Sequence, residues 1–95
     1  MNRQAKREDR PGANPREVIL YTRAGCHLCE EAKAAIAPLL SEFHATLREI
    51  DVDDDSALDE IYGSDVPVIF IGEREAARHH VDVKQFRRQL QKEFS

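Results

Sequence analysis

The chain has 95 residues, of which 41% are hydrophobic and 34% charged, and its formal net charge is −4 at pH 7. A chain of this length buries about 60–65% of the surface that its unfolded form exposes, which suffices for one small core and excludes a second domain. Its longest apolar run, residues 66–71, is far shorter than the about 20 residues of a membrane-spanning helix, so we expect no membrane partner.

Residues 1–15 are polar, net positive and interrupted by two breaker pairs, Pro11-Gly12 and Asn14-Pro15. They contain no apolar stretch that could serve as a secretory signal, so we expect a disordered, solvated leader and a cytoplasmic protein. The predicted domain covers residues 16–95. It carries the chain's negative charge, which argues against a nucleic-acid partner.

The first predicted strand covers residues 18–22, an uninterrupted β-branched and aromatic run typical of a central strand covered on both faces. After a short loop, apolar residues at helical spacing predict a helix that starts near Cys26. Pro38 lies inside this helix, and we expect a kink rather than an end because the apolar face continues beyond it.

Residues 46–52 predict a second strand, followed by an acidic turn and a short helix over residues 57–62. Ser56 or Asp55 can cap this helix, and Gly63 stands in the usual stop position. Its predicted apolar face consists of Leu58, Ile61 and Tyr62.

A third buried strand, Val68–Ile71, follows directly after Pro67. Turn residues then predict that residues 75–80 fold back as an antiparallel edge strand. Asp82 and Gln85 are spaced as a helix N-cap and its reciprocal partner. The closing helix has apolar residues at helical spacing, namely Val83, Phe86, Leu90 and Phe94.

The predicted order is therefore β-α-β-α-β-β-α, an α/β fold. Parallel crossovers are right-handed, so the first two strands form a βαβ unit and the last hairpin adds antiparallel partners. We expect a four-stranded mixed sheet with helices on both faces.

The pattern Cys26-His27-Leu28-Cys29 carries the chemistry. It falls at the first turn of a helix that follows a central strand, where free backbone N–H groups and the helix dipole stabilise a thiolate. Cys29 lies one helical turn on and is expected to be more buried, so Cys26 attacks a disulfide and Cys29 resolves the mixed disulfide. His27 either assists the Cys26 thiolate or lies exposed at the helix start.

Two other interpretations of the cysteines remain. A structural zinc site needs four ligands, usually from two paired clusters, and the chain has no second Cys pair. His79 and His80 do not supply one, because neighbours on a strand point to opposite sides. The cysteines could also be small buried hydrophobic residues.

The segment Tyr-Thr-Arg-Ala-Gly-Cys-His-Leu-Cys at residues 21–29, followed about 40 residues later by Val66-Pro67-Val68, resembles the glutaredoxins. The resemblance is greatest to their small Cys-His-Leu-Cys branch and extends from Glu17 to about Phe94. It implies a thioredoxin-like fold.

The resemblance also implies roles for individual residues. Cys26 would be the nucleophile and Cys29 the resolving cysteine. Val66 would pair its backbone with the substrate like an added strand, next to a cis Pro67. Arg23, three residues before the nucleophile, would hold the glutathione carboxylate.

One segment departs from the family pattern. Asp82 and the following helix start fit the γ-glutamyl end of glutathione, but His79 and His80 replace the two glycines that glutathione-using members carry there. Both glutathione and a thioredoxin-reductase-type system therefore stay open as electron donors.

We predict a monomeric thiol–disulfide oxidoreductase without a bound cofactor. Its partners would be disulfide-containing proteins or glutathione mixed disulfides, together with a reductase. The alternative is a binding module of the same fold whose cysteines hold a metal ion or an iron–sulfur cluster without turnover.

Overall fold

The computed structural model describes residues 16–94, so the predicted leader, residues 1–15, lies outside the described residues. The elements in chain order are β1 (Glu17–Thr22), α1 (His27–Glu42), β2 (Thr46–Asp51), a 3₁₀ turn (Val52–Asp54), α2 (Ser56–Tyr62), β3 (Val68–Ile71), β4 (Arg74–Arg78) and α3 (Val83–Phe94). Apart from the 3₁₀ turn, this is the order predicted from the sequence.

The four strands form one mixed sheet in the order β2-β1-β3-β4. β1 is parallel to β2 and antiparallel to β3, and β4 is antiparallel to β3 at the edge, as the sequence predicts. Tyr21 at the end of β1 is paired with Val68 at the start of β3. The loop that leads to Cys26 and the segment that leads into β3 therefore meet at the same end of the sheet.

The main core lies between one face of the sheet and the two long helices. Phe86 and Leu90 of α3 are 1% and 0% exposed, and burial of each side chain is worth about 1.5–3 kcal/mol. Strands and α1 supply the rest of this cluster, namely Val18, Leu20, Ala32, Ile36, Leu39, Leu40, Ile69 and Ile71.

Aromatic rings cover the other face of the sheet. Tyr62 of α2 stacks on Tyr21 with ring centroids 4.5 Å apart, and Phe70 meets both rings edge-on. The predicted placement of helices on both faces is thus confirmed. The predicted apolar face of α2 is wrong at Ile61, which is 61% exposed, because successive helical residues point about 100° apart and Tyr62 already faces the sheet.

Helix α1 runs past Pro38 to Glu42, so the proline does not end the helix, as expected. Asp55 rather than Ser56 caps α2, since its carboxylate accepts from the N–H of Ala57 at 2.9 Å. Val83 at the start of α3 is 42% exposed and is not part of the core predicted for this helix. It comes directly after the exposed cap residue, Asp82.

Two predicted strand ends are corrected. β2 ends at Asp51, because the Asp51 carboxylate accepts from the N–H of Asp53 at 2.8 Å and turns the chain into the 3₁₀ segment. β4 ends at Arg78 rather than at residue 80, because His79 adopts a positive φ of 72° that a strand does not accommodate.

Gly63 ends α2 as predicted, but not in the left-handed conformation of the usual glycine stop, since its φ is −56°. A steric constraint explains why a glycine is needed at this position. A Cβ at this position would collide with the backbone carbonyl and the carboxylate of Asp59.

Candidate redox site

The two cysteines lie at the start of α1, just after the loop that follows β1. Gly25 has a φ of 77°, a conformation that favours glycine, and it turns the chain so that Cys26 becomes the N-cap of α1. Cys26 and Cys29 form a disulfide with their Cα atoms 5.2 Å apart, within the usual range. The backbone N–H of Cys29 points at Sγ of Cys26 at 3.1 Å.

The two sulfur atoms differ in accessibility. Cys29 is 1% exposed and belongs to the buried core, whereas Cys26 is partly exposed at the helix start. This is the placement predicted from the sequence. Only Cys26 is open to a disulfide that approaches from solvent, and the N–H aimed at its sulfur favours a thiolate there.

His27 is the first residue of α1 and is exposed. Within residues 16–94 its ring makes no hydrogen bond or ion pair. Of the two alternatives that the sequence left open, the structure shows the exposed helix-start position, and assistance to Cys26 stays a prediction.

Arg23 is held by the protein itself. Its Nε donates to Oδ1 of Asp53 at 3.0 Å, its Nη1 donates to the carbonyl of Gly63 at 2.9 Å, and its Nη2 donates to the carboxylate of Asp59. We call these four residues the Arg23 cluster. The cluster ties the loop before Cys26 to the 3₁₀ turn and to α2. Arg23 therefore does not simply lie in solvent, and its contact with a substrate carboxylate stays a prediction.

The peptide bond between Val66 and Pro67 is cis, as the family resemblance implies. Pro67 is buried and its carbonyl accepts from the N–H of His79 at 2.8 Å. The backbone N–H and carbonyl of Val66 have no partner in the described part of the chain. They are thus free for an added strand.

A polar cluster that sequence reasoning missed surrounds this segment. The carboxylate of Asp65 accepts from Nη1 of Arg78 at 2.7 Å and lies 2.9 Å from Nε2 of His79. Arg78 also forms an ion pair with Glu75 at 2.8 Å. The hydrogen bond with His79 and the charge of Arg78 lower the pKa of Asp65 below its ordinary value of 3.8. The sequence feature that could have indicated this cluster is the predicted hairpin, because β4 places Arg78 opposite Val68, which is close to Asp65 in the chain.

A groove of about 200 Å³ lies between the first half of α1 and the segment that joins β4 to α3. Its lining includes Leu28 and Glu31 from the helix and His79 and His80 from the connecting segment. The prediction that the two histidines cannot face one site is wrong, because β4 ends before them and the strand alternation does not apply.

Asp82 caps α3, since its carboxylate accepts from the N–H of Gln85 at 3.1 Å, and this confirms its predicted capping role. Its part in substrate binding stays a prediction. Among residues 16–94, no three His, Cys, Asp or Glu side chains are grouped so that they could hold a metal ion. No described helix has both the length and the apolar character that crossing a membrane requires.

Comparisons with known proteins agree with this geometry. Residues 17–91 match the family model of the Glutaredoxin-like domain (DUF836). The chain is 34% identical over 71 residues to Glutaredoxin-like protein YDR286C homolog from Dictyostelium discoideum, a match that covers 68% of this chain and 66% of that protein. The chain thus spans about two thirds of the length of this relative.

The similar solved structures include the following two. Protein Ne2328 from Nitrosomonas europaea has a TM-score of 0.65 at 34% identity, covering 75% of this chain and 86% of that one. Oxidised thioredoxin O1 from Arabidopsis thaliana has a TM-score of 0.60 at 19% identity, covering 83% of this chain and 78% of that one, which concerns the fold alone. The fold is therefore that of the thioredoxins, and the chain belongs to the glutaredoxin-like domain family DUF836.

Proposed function

We propose that the protein is a thiol–disulfide oxidoreductase that reduces disulfides of proteins or small molecules through Cys26 and Cys29. The observation that carries the proposal is the asymmetry of this pair. One sulfur is accessible at a helix N-cap with a backbone N–H aimed at it, and the other is buried one turn along the helix. Membership of a glutaredoxin-like family supports a redox role.

In the first step, the Cys26 thiolate attacks one sulfur of the substrate disulfide. The substrate S–S bond breaks, a mixed disulfide with Cys26 forms, and the other substrate sulfur leaves as a thiolate that takes up a proton. The free N–H groups at the start of α1 stabilise the attacking thiolate.

In the second step, Cys29 loses its proton and attacks Sγ of Cys26. The two residues are close enough to form a disulfide, with their Cα atoms 5.2 Å apart. The mixed disulfide breaks and releases the second substrate thiol. The substrate has gained two electrons, and Cys26 and Cys29 have lost two and are joined as a disulfide. An external donor, either glutathione or a thioredoxin-reductase-type system, then returns the pair to the dithiol.

Docking completes the proposal. A substrate segment would pair with the free backbone of Val66 as an added strand, which brings its disulfide to the end of the sheet where Cys26 lies. The chemistry requires no bound cofactor and no second copy of the chain, so we propose a monomer. We also propose a cytoplasmic site of action, where thiols are kept reduced.

The test uses two single variants of the reduced protein with a disulfide substrate. Cys29→Ser should accumulate a mixed disulfide on Cys26 that intact-mass spectrometry detects, because no thiol is left to resolve it. Cys26→Ser is the matched control and should form none, since Cys29 is buried. Absence of the adduct on Cys29→Ser, with the wild-type protein also failing to become oxidised, would contradict the proposal.

A further inference from the structure

Arg23, which precedes the two cysteines, is already fully paired within the protein and offers no free positive charge to a substrate. Its guanidinium forms ion pairs with both Asp53 and Asp59, and its remaining nitrogen donates to a backbone carbonyl. The Arg23 cluster therefore holds one more negative than positive charge. A substrate carboxylate would have to displace one of these bonds and would meet the two aspartates.

A second cluster, beside the segment that leads into β3, also holds two carboxylates. Arg78 forms ion pairs with both Asp65 and Glu75, and Nε2 of His79 lies 2.9 Å from Asp65. Asp65 immediately precedes Val66, whose free backbone is the proposed docking edge. Because its pKa is lowered, Asp65 keeps its negative charge throughout the neutral range.

The groove between α1 and the segment that joins β4 to α3 adds one more carboxylate. Glu31 is exposed on the α1 side of the groove and forms no ion pair with any described residue. Leu28, 36% exposed, supplies apolar contact next to it. His79 and His80 line the other side of the groove, and among the described residues that line it Glu31 is the one carboxylate.

We propose that this surface selects disulfides in positively charged protein segments, with lysine or arginine beside the cystine, over anionic disulfides such as oxidised glutathione. This inference rests on the proposed exchange reaction at Cys26 and names its substrate class. The excess negative charge of the Arg23 cluster, the carboxylates beside Val66 and the unpaired Glu31 attract a basic segment and repel the carboxylates of glutathione. Charged clefts of this kind alter association rates by about 10- to 1,000-fold at low salt.

Three synthetic peptides test the inference. They share one intramolecular cystine and one length, and the residues that flank the cystine are lysine, serine or glutamate. The second-order rate constant for oxidation of the reduced protein is measured with each, and division by the rate constant for dithiothreitol removes differences in intrinsic reactivity. We expect the lysine peptide to exceed the glutamate peptide by about tenfold or more at low ionic strength. The ratio should approach one in about 1 M salt.

The variant Glu31→Gln should lower the lysine-to-glutamate ratio by about threefold, since one charge in the groove is removed. Glu73→Gln is the matched control, because Glu73 is exposed in the turn between β3 and β4, at the other end of the sheet from Cys26. It should keep the wild-type ratio. Circular dichroism checks that both variants fold.

The outcomes separate the two proposals. A wild-type ratio below about threefold, or the same ratio in Glu31→Gln as in the wild type, overturns the charge selectivity while the exchange reaction stands. If none of the three peptides oxidises Cys26 and Cys29, the proposed function itself is overturned.

Discussion

Replacement of Gly25 by alanine tests whether the turn before Cys26 governs its reactivity. Gly25 has a φ of 77°, and a Cβ built there has no heavy atom within 4 Å, so the substitution changes backbone strain without steric crowding. An alanine in the left-handed region costs about 1–2 kcal/mol. Reduced freedom of the unfolded chain returns about 0.4–1 kcal/mol of this. We therefore expect a net loss of about 1 kcal/mol, which lowers the melting temperature of a domain of this size by about 4–8 °C.

Gly72 provides a matched control, because its φ is 60° and a Cβ there also has no heavy atom within 4 Å. It lies in the turn after β3, at the end of the sheet away from Cys26. Gly72→Ala should lose the same stability in urea denaturation. Only Gly25→Ala should also slow the alkylation of Cys26 by iodoacetamide, by about threefold or more, as the N-cap geometry degrades.

Two results would refute this reasoning. If neither alanine variant loses stability, the positive φ values do not constrain these turns. If Gly25→Ala loses stability and yet Cys26 is alkylated at the wild-type rate, the turn does not set the geometry of the nucleophile. Gly25→Asn should show a smaller loss than alanine in both measurements, because asparagine tolerates the left-handed region better.

Two further predictions concern stability. Phe86→Ala should cost about 3–5 kcal/mol in urea denaturation, because the ring is 1% exposed in the core between α3 and the sheet, and a loss below about 1 kcal/mol would contradict this placement. Asp65→Asn should be less stable than the wild type at neutral pH, because the folded state lowers the pKa of Asp65 and such a carboxylate stabilises the fold above its unfolded pKa of about 3.8. That difference should shrink as the pH falls through the lower, folded-state value, and a difference that does not change between about pH 6 and pH 2 would contradict the ion pairs of Asp65.

Most of the fold could be predicted from local sequence patterns, namely apolar runs and helical spacing. The uninterrupted apolar run of β1 identified the central strand, because only a strand covered on both faces tolerates such a run. Cys26 could be placed at a helix start because the apolar spacing begins there, and the buried position of Cys29 followed from the 3.6-residue period. These features depend on residues close together in the sequence.

The errors and omissions depend on contacts between distant segments. The Arg23 cluster joins residues 30 to 40 positions apart, and no local pattern indicates that Arg23 turns toward Asp53 and Gly63 rather than toward solvent. The position of His79 follows from its two bonds to the segment before β3, which end the strand early. Ile61 fits the helical period of α2, yet the stacking of Tyr62 on the sheet decides which side faces out.

The most direct test of the central claim is the alkylation of the reduced protein across a pH series, with Cys26 and Cys29 quantified separately by mass spectrometry. We expect Cys26 to react with a midpoint clearly below the about 8.5 of an ordinary thiol, and Cys29 to stay protected until the protein unfolds. Equal reactivity of the two thiols, or a midpoint near about 8.5 at Cys26, would contradict the account of Cys26 as the activated nucleophile.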